Sequence, residues 1–481
     1  MARKITAGPM VPAAPAARAE RSSVDGPESA PQARRWAVFA VVSSSLLMIA
    51  LDQTAIATAL SALQADLGAG IGWTGWTITV YSVGQILALP LGGRLGDQFG
   101  KRRVFLVAIG VFAAASMVCA ITASIGQLIV CRFVQGVAGG MLLPAGMGIV
   151  AHVFGRDRDR ALALFTSVFP MGAVLGPLLG GVVVTVWSWR GIFLINIPLV
   201  LVLLVSGFFL VREPPRRRPE KVDVRGIVLL MVVLLAAMLT ITRVGELASG
   251  VRGALGVGAS AVVAVVAGWA SLRHARRHRD PVVPIRLLVG GGLGSMNILN
   301  VAFGAAAIGF SALAPLYAQS RYAIVPLAAG VLLTVRAVGM IASSLVAVAL
   351  LRRVGHRPLL LVGMGAIVAG LVLTAVPPPG VAPELWLAVA AGVTGLGMGL
   401  AAPASNNAGM HLVPDEVSAV SGLRIMFRQF GAIIAVSVTT AVSAASANPG
   451  LAMSIAFGGL AVVVLAAAAV AARIPNQRGR W

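Results

Sequence analysis

The sequence predicts an all-α integral membrane protein with fourteen transmembrane helices. Of the 481 residues, 58% are hydrophobic and only 11% are charged, and the mean hydropathy is +0.92. A soluble domain is roughly half apolar and about one quarter charged, so this composition excludes a soluble globule. Because a membrane helix needs about 20 consecutive apolar residues, the chain has room for a dozen or more of them.

Fourteen apolar segments follow one another from Trp36 onward. They lie at residues 36–60, 75–93, 104–124, 127–150, 161–186, 191–211, 226–244, 252–271, 293–318, 325–350, 358–376, 384–404, 418–442 and 451–472. Residues 1–35 are rich in Pro, Ala and Arg without apolar periodicity, which predicts a disordered cytoplasmic tail. A cleaved signal peptide is the alternative, but the first apolar stretch begins too late and runs too long for one.

Basic residues alternate between the two sets of connections. One side carries the N-terminal tail and residues 101–103, 156–160, 212–225, 273–286, 352–357 and 473–480, whereas the other carries Arg190, Arg243, Arg252 and Arg321. Cytoplasmic loops of membrane proteins collect Lys and Arg. We therefore expect both termini in the cytoplasm, and the even number of spans agrees with that.

The basic stretches at 212–225 and 273–286 bracket the seventh and eighth segments, and six segments lie on either side of them. This pattern predicts five regions: a tail at 1–35, an N-terminal six-helix bundle at 36–212, a linker with two extra transmembrane helices at 213–286, a C-terminal six-helix bundle at 287–473 and a tail at 474–481. Duplicated halves are typical of secondary transporters, whose binding sites lie near the bilayer midplane between the halves.

The connection between spans two and three, GRLGDQFGKRR at 93–103, combines glycines with a lone acid among basic residues. Glycine permits a tight turn and close helix approach, and Asp97 can pair with its basic neighbours, so the cluster can latch two helix ends in one conformational state. An ordinary basic cytoplasmic loop is the alternative interpretation. The latch residues are Gly93, Asp97, Gly100, Lys101 and Arg102.

This pattern resembles the G-x-L-x-D-x-x-G-x-R/K signature of the Major Facilitator Superfamily. LIVCRFVQGVAGG at 128–140 resembles that superfamily's span-four motif, with Arg132, Gln135 and Gly136. GAVLGPLLGG at 172–181 resembles its span-five antiporter motif, and LDQTAIATAL at 51–60 and WRGIFLINIP at 189–198 resemble the fourteen-span drug:proton antiporter branch. The antiporter-motif residues are Gly172, Gly176, Pro177, Gly180 and Gly181.

The resemblance implies a Major Facilitator fold in which two six-helix bundles and an inserted helix pair work by alternating access. It implies export of lipophilic, drug-like or antibiotic-like molecules in exchange for protons, with the proton gradient as energy source and no cofactor. Two positions depart from the family pattern in the first span, where Ala57 and Ser61 replace Asn and Pro. Arg352 stands where a second-half latch would have its acid, so we expect no symmetrical latch.

Asp52 is the one carboxylate well inside an apolar segment. Intramembrane ionisable residues are functional candidates by default, and a buried carboxylate is a natural proton carrier because desolvation disfavours its charged form. At a rise of 1.5 Å per residue, Asp52 lies ~12 Å and Arg132 ~8 Å from the outer face. We hypothesise that Asp52 is the proton site and that Arg132 controls its ionisation; a purely structural Asp is the alternative.

The other charges inside the spans are arginines: Arg336 in span ten, and Arg424 and Arg428 on one face of span thirteen. A lipophilic cation would meet only one carboxylate, so we expect a neutral or anionic substrate. Alternatively, Arg428 packs between helices and Arg424 reaches the cytoplasmic interface. Weaker candidates for the cavity lining are Tyr81, Gln85, Gln135, Asn297 and Asn300.

Several functional classes are excluded or disfavoured. The two cysteines, Cys119 and Cys131, form no disulfide framework and no metal-ligand cluster, and the five histidines contain no HExxH pair. No GxxxxGK[ST] motif for ATP hydrolysis is present, no enzyme site is apparent, and the basic charge in loops argues against nucleic acid binding.

An Arg to Lys ratio of 35 to 3 suggests a GC-rich bacterial source, hence a multi-pass protein of the bacterial plasma membrane, expected to be monomeric. Export of a native metabolite or lipid precursor, or a non-transporting membrane sensor, remain the alternatives.

Overall fold

The computed structural model describes residues 31–213, 223–244, 251–278, 281, 293–412 and 417–471. These residues form fourteen long helices and no strand, which confirms the predicted all-α class. Thirteen of the helices are long and apolar enough to cross a membrane.

The helices run in chain order as α1 (Gln32–Leu67), α2 (Ile71–Phe99), α3 (Lys101–Ile121), α4 (Ile125–Phe154), α5 (Arg158–Val186), α6 (Arg190–Leu210), α7 (Val224–Arg243), α8 (Val251–Arg277), α9 (Leu293–Tyr322), α10 (Pro326–Val354), α11 (His356–Ala375), α12 (Pro383–Leu412), α13 (Val417–Ala445) and α14 (Pro449–Ala471). Each covers one of the fourteen predicted segments. Most extend beyond the predicted bounds, because a hydropathy window ends where polar residues begin whereas the helix continues towards the interface.

The remaining helix, α2, is 29 residues long but is not among the thirteen that are apolar enough to cross a membrane by this criterion. It carries Thr, Ser, Gln and Gly on faces that are buried against α4 and α13. Such a helix needs less apolar surface than one that faces lipid.

Helices α1–α6 pack against one another, and so do α9–α14, which gives two six-helix groups. Helices α7 and α8 pair with each other between them in sequence, and α7 also lies against α2 and α13. Local signals fix several helix ends: Ser124 caps α4 by accepting the Gln127 N–H at 3.3 Å, and Gly68 ends α1 in the left-handed conformation.

The two groups meet mainly through three helix pairs, α1 with α9, α2 with α13 and α5 with α10. We call the end of the molecule that carries the 100–101 and 155–157 connections the basic end, and the other the opposite end. At the opposite end one buried apolar cluster draws on both groups, including Leu60 and Leu63 of α1 and Leu313 and Leu316 of α9.

Candidate functional site

The ion pair between Asp52 of α1 and Arg132 of α4 is fully buried within the first helix group. The Arg132 Nη1 donates to Asp52 Oδ2 at 2.5 Å, and the exposed fraction of both side chains is 0%. A buried charge is tolerated only when it is paired and hydrogen-bonded. The structure therefore brings together the two residues that sequence analysis placed at similar depth.

Further polar groups surround this pair. Asn196 of α6 donates to the second carboxylate oxygen of Asp52 at 2.8 Å, and Arg132 Nε donates to the Thr77 carbonyl at 3.1 Å. Arg132 also donates to Gln135 Oε1 at 3.0 Å, and Gln135 in turn donates to Ser116 Oγ at 2.6 Å. The network joins five helices, α1, α2, α3, α4 and α6, so a change in the charge of Asp52 reaches most of the group.

The guanidinium of Arg132 is held from one side by the ring of Tyr81, whose centroid lies 4.2 Å from Arg132 Cζ. Gly136 lets α4 approach α2 at this point, because a Cβ there would overlap the backbone of Tyr81. Within the network, Arg132 Nη2 has no hydrogen-bond partner. An unsatisfied donor on a buried cation is costly, so Arg132 Nη2 can donate a hydrogen bond to a further acceptor.

Two adjoining cavities lie between the helix groups, of about 370 and 360 Å³. They share Phe169, Ile308, Arg428 and Gln429 as lining residues. The first reaches Gln53 and Thr54, the residues that follow Asp52 in α1. Among the described residues, neither cavity is lined by a carboxylate. Such a mainly apolar space with a few polar groups is typical of small-molecule sites.

Arg336 of α10 and Arg428 of α13 supply the positive charge of the larger cavity. Arg336 donates to Ser311 Oγ at 2.6 Å and to the Ala307 carbonyl at 2.9 Å. That carbonyl belongs to a π-helical turn, Ala305–Gly309, within α9; π-turns are frequent at functional sites because they alter the backbone hydrogen bonding. Arg428 donates to Asn300 Oδ1 at 3.3 Å and lies over the ring of Phe303.

The structure places the remaining predicted cavity residues in different surroundings. Gln85 lines the second cavity and accepts from Gln429 Nε2 at 3.0 Å, which bridges the helix groups. Tyr81 and Gln135 line neither of the two central cavities and are fully buried around Arg132. Asn297 lines a different, mainly apolar groove between α9, α13 and α14. Asn300 orients Arg428, and Arg424 is half-buried one turn closer to the basic end.

The predicted latch lies at the basic end of α2 and α3. Asp97 and Lys101 form an ion pair at 3.5 Å between these two helices, and the Lys101 stem packs on Gly148 of α4. Arg102 donates to the Phe208 carbonyl at 2.7 Å, and Gly93 lies near Pro144. All these contacts are within the first helix group, so they join α2, α3, α4 and α6 rather than the two halves.

One latch residue was not predicted from sequence. Glu213, just beyond α6, accepts the backbone N–H of Arg102 at 3.2 Å and fills the space that a Cβ of Gly100 would occupy. Gly100 has φ +104°, a conformation that favours glycine. The only signal in the sequence is an acid at the start of a basic stretch that also contains Glu220 and Asp223, and hydropathy does not distinguish it from a loop residue.

The glycines of the antiporter motif form the contact of α5 with its neighbours. Gly172, Gly176 and Gly180 lie against α1 between Leu47 and Thr58, while Gly181 lies against Pro326 and Leu327 at the start of α10. The Pro177 carbonyl oxygen packs against Gly330 of α10, where a Cβ would overlap it. The motif therefore joins α5 both to the helix that carries Asp52 and to the second half.

Comparisons with known proteins agree with this architecture. The sequence profile of the Major Facilitator Superfamily matches residues 42–436 and, in a second match, 296–480. The chain is 28% identical over 398 residues to Multidrug resistance protein 3 of Bacillus subtilis, which covers 82% of this chain and 76% of that protein. It is 28% identical over 426 residues to a probable actinorhodin transporter of Streptomyces coelicolor, which covers 85% and 72%, respectively.

Among solved structures, the chain is similar in fold to a D-xylose–proton symporter. The TM-score is 0.66 at 15% sequence identity, and the match covers 92% of this chain and 99% of the other.

Proposed function

Because the chain belongs to the Major Facilitator Superfamily, we propose that it exports lipophilic, drug-like or antibiotic-like small molecules from the cytoplasm in exchange for protons. It is a multi-pass bacterial membrane transporter and not an enzyme. Relatives with 28% identity are named as a multidrug resistance protein and as a probable transporter of actinorhodin. Those names support an export role for this chain. We add the identity of the coupling ion, the charge of the substrate and the direction of transport.

We base the proposed proton coupling on the buried Asp52–Arg132 pair. Asp52 has its two oxygens bound by Arg132 and Asn196, and the next residues of α1 line the central cavity. Protonation of the carboxylate would weaken its attraction to the guanidinium and leave Arg132 as an uncompensated charge. The helices around it would then rearrange, which links proton uptake to the shape of the cavity.

The cavity supports a neutral or anionic substrate. Arg336 and Arg428 line it, and no carboxylate of the described chain does. A lipophilic cation would be repelled by both arginines, whereas an anion could pair with either, and a neutral molecule would use the apolar walls and amides.

The basic end is proposed to face the cytoplasm, in line with the positive-inside rule. The packing of both helix groups around Leu60 and Leu313 at the opposite end would then close the cavity to the outside. In the export cycle this state would load substrate from the cytoplasm. The proton gradient would be the energy source, without a cofactor, and one chain would suffice as a monomer.

The test is substrate-induced proton movement in proteoliposomes that contain the full chain. A panel should hold an anionic aromatic compound, a neutral lipophilic compound and the cation ethidium, each compared with protein-free liposomes. We expect proton movement with the first two. Absence of proton movement with every compound would contradict the coupling, and preference for ethidium would contradict the proposed substrate charge.

A further inference from the structure

A cluster of potential metal ligands joins α7 and α8 at the basic end, away from the central cavity. Asp223 immediately precedes α7, His274 lies on the last turn of α8, and His278 directly follows that helix. One ligand atom from each lies within 4.8 Å of the other two. We propose that Asp223, His274 and His278 form a binding site for a divalent transition-metal ion of the Zn²⁺ class.

The spacing of the histidines suits such an ion. Residues four apart lie on one face of a helix, and the His274 and His278 rings are 5.1 Å apart between centroids. Zn²⁺ is held by nitrogen and oxygen ligands at about 2.0–2.2 Å, with ligand atoms about 3.3 Å apart in a tetrahedron. Closing the cluster requires a movement of about 1.5 Å, which the exposed side chain of His278 can make.

Asp223 is already oriented as a ligand. Its Oδ1 accepts the Gly226 N–H at 2.9 Å and lies 2.7 Å from His274 Nε2. The backbone hydrogen bond would orient the carboxylate as an outer partner orients a metal ligand.

The ligand set selects the class of ion. The cluster offers one carboxylate and two imidazoles. Ions that depend on several carboxylates, such as Mg²⁺ and Ca²⁺, are disfavoured by these ligands. Two imidazoles and one carboxylate suit Zn²⁺, Co²⁺ or Ni²⁺, and water can complete the coordination.

A bound ion would tie the basic end of α7 to α8. Because α7 also packs against α2 and α13, one from each helix group, the ion would fix the inserted pair at the seam between the halves. Sequence analysis predicted no metal site, since Asp223 lies 51 residues from His274 and only folding brings them together.

The test is a titration of the full chain, purified in detergent with any affinity tag removed, using Co²⁺ and Zn²⁺ as probes. We expect one Co²⁺ per chain, with visible absorption typical of a four-coordinate ion, that Zn²⁺ displaces. Loss of an outer partner already costs 10–100-fold in metal affinity, so His278→Ala should weaken binding by at least about tenfold. Asp223→Asn should do the same.

His152→Ala is the matched control, because His152 lies at the basic end of α4, outside the cluster. It should bind as the unmodified chain does. The proposal is overturned if the unmodified chain binds no stoichiometric Co²⁺ or Zn²⁺, or if His278→Ala and Asp223→Asn retain full affinity. Since His278 is exposed, its substitution leaves the fold intact, and a circular dichroism spectrum checks this.

Discussion

At the residue scale, the proposed proton coupling depends on how Arg132 is held. It donates to a carboxylate, a backbone carbonyl and an amide, and it stacks on Tyr81. A lysine could keep the charge but not this planar set of donors. The residue is therefore required for its geometry as well as for its charge, and its removal affects Asp52 first.

Arg132→Met leaves the Asp52 carboxylate buried with Asn196 as its remaining side-chain donor. Removal of one partner from a buried ion pair costs about 3–5 kcal/mol, so we expect the free energy of unfolding to fall by that amount. In an Asp52→Asn background the same change should cost about 1–3 kcal/mol less. Unfolding by denaturing detergent in mixed micelles measures both, and equal costs in the two backgrounds would contradict the pairing.

The two cavity arginines lead to a separate prediction about the charge of the substrate. Hydrogen bonds to charged groups contribute about 1.5–3 kcal/mol, so Arg336→Gln or Arg428→Gln should weaken transport of an anionic compound by about 10–100-fold. Transport of a neutral compound should change little. Initial efflux rates in vesicles check this, with Arg321→Gln at the opposite end as control. Equal losses for both compounds would indicate that the arginines only support the fold.

Sequence analysis singled out the charged residues and three of their contacts, Tyr81, Gln135 and Asn300, but not Asn196 or Ser116. Asp52, Arg132 and Arg336 stand out because charges are rare inside apolar segments. Asn196 and Ser116 are polar but uncharged, and such residues often satisfy neighbouring helices. Their role depends on which faces of α3 and α6 meet α1, and that is a tertiary property.

At the element scale, small residues set the distance between helices. The close approach of α2 and α4 at Gly136 places the Thr77 carbonyl and the Tyr81 ring beside Arg132. In membranes, helix association depends on such packing because lipid provides no hydrophobic drive. The geometry of the ion pair is therefore coupled to one glycine on the neighbouring turn of α4.

Gly136→Ala should separate α2 from α4, because its Cβ would overlap the Tyr81 backbone. Overpacking costs about 1–3 kcal/mol, and we expect unfolding at a lower denaturant concentration together with reduced efflux. Gly110→Ala in α3 is the matched control, since its Cβ meets nothing within 4 Å. It should be neutral or stabilise by up to about 1 kcal/mol. An equal effect of both variants would contradict the close-packing explanation.

Hydropathy predicted every long helix but not the π-turn of α9. That turn, Ala305–Gly309, lies where α9 packs on α13 and where Arg336 reaches a backbone carbonyl. Its run of alanines and glycine carries no local signal for a π-turn. The turn instead has tertiary contacts, with Arg336 of the next helix, α10, and with α13.

At the scale of the whole molecule, the two helix groups meet over close contacts at the opposite end. Gly330 of α10 approaches the Pro177 carbonyl of α5, and Gln319 of α9 donates to the Thr58 carbonyl of α1 at 3.2 Å. Alternating access requires these contacts to break and reform. They are thus the place where the equilibrium between states can be changed without altering the cavity.

Gly330→Val should prevent this close approach and favour the state that is open at the opposite end. We expect transport to slow by about tenfold, the effect of about 1.4 kcal/mol. A second substitution, Ala57→Cys in the cavity lining, should then react with a membrane-impermeant maleimide from that side faster than it does without Gly330→Val. Gly365→Val, whose Cβ position has open space around it, is the control, and equal labelling in both variants would contradict the prediction.

The central claim is that Asp52 carries the proton that drives export. Its most direct test is transport by Asp52→Asn in proteoliposomes, measured both as proton-driven uphill movement and as substrate exchange without a gradient. Asp66→Asn is the matched control, since that carboxylate lies at the opposite end of α1 and is half-exposed. We predict that Asp52→Asn loses uphill transport but retains exchange, while Asp66→Asn retains both. Uphill proton-driven export by Asp52→Asn at the unmodified rate would contradict it.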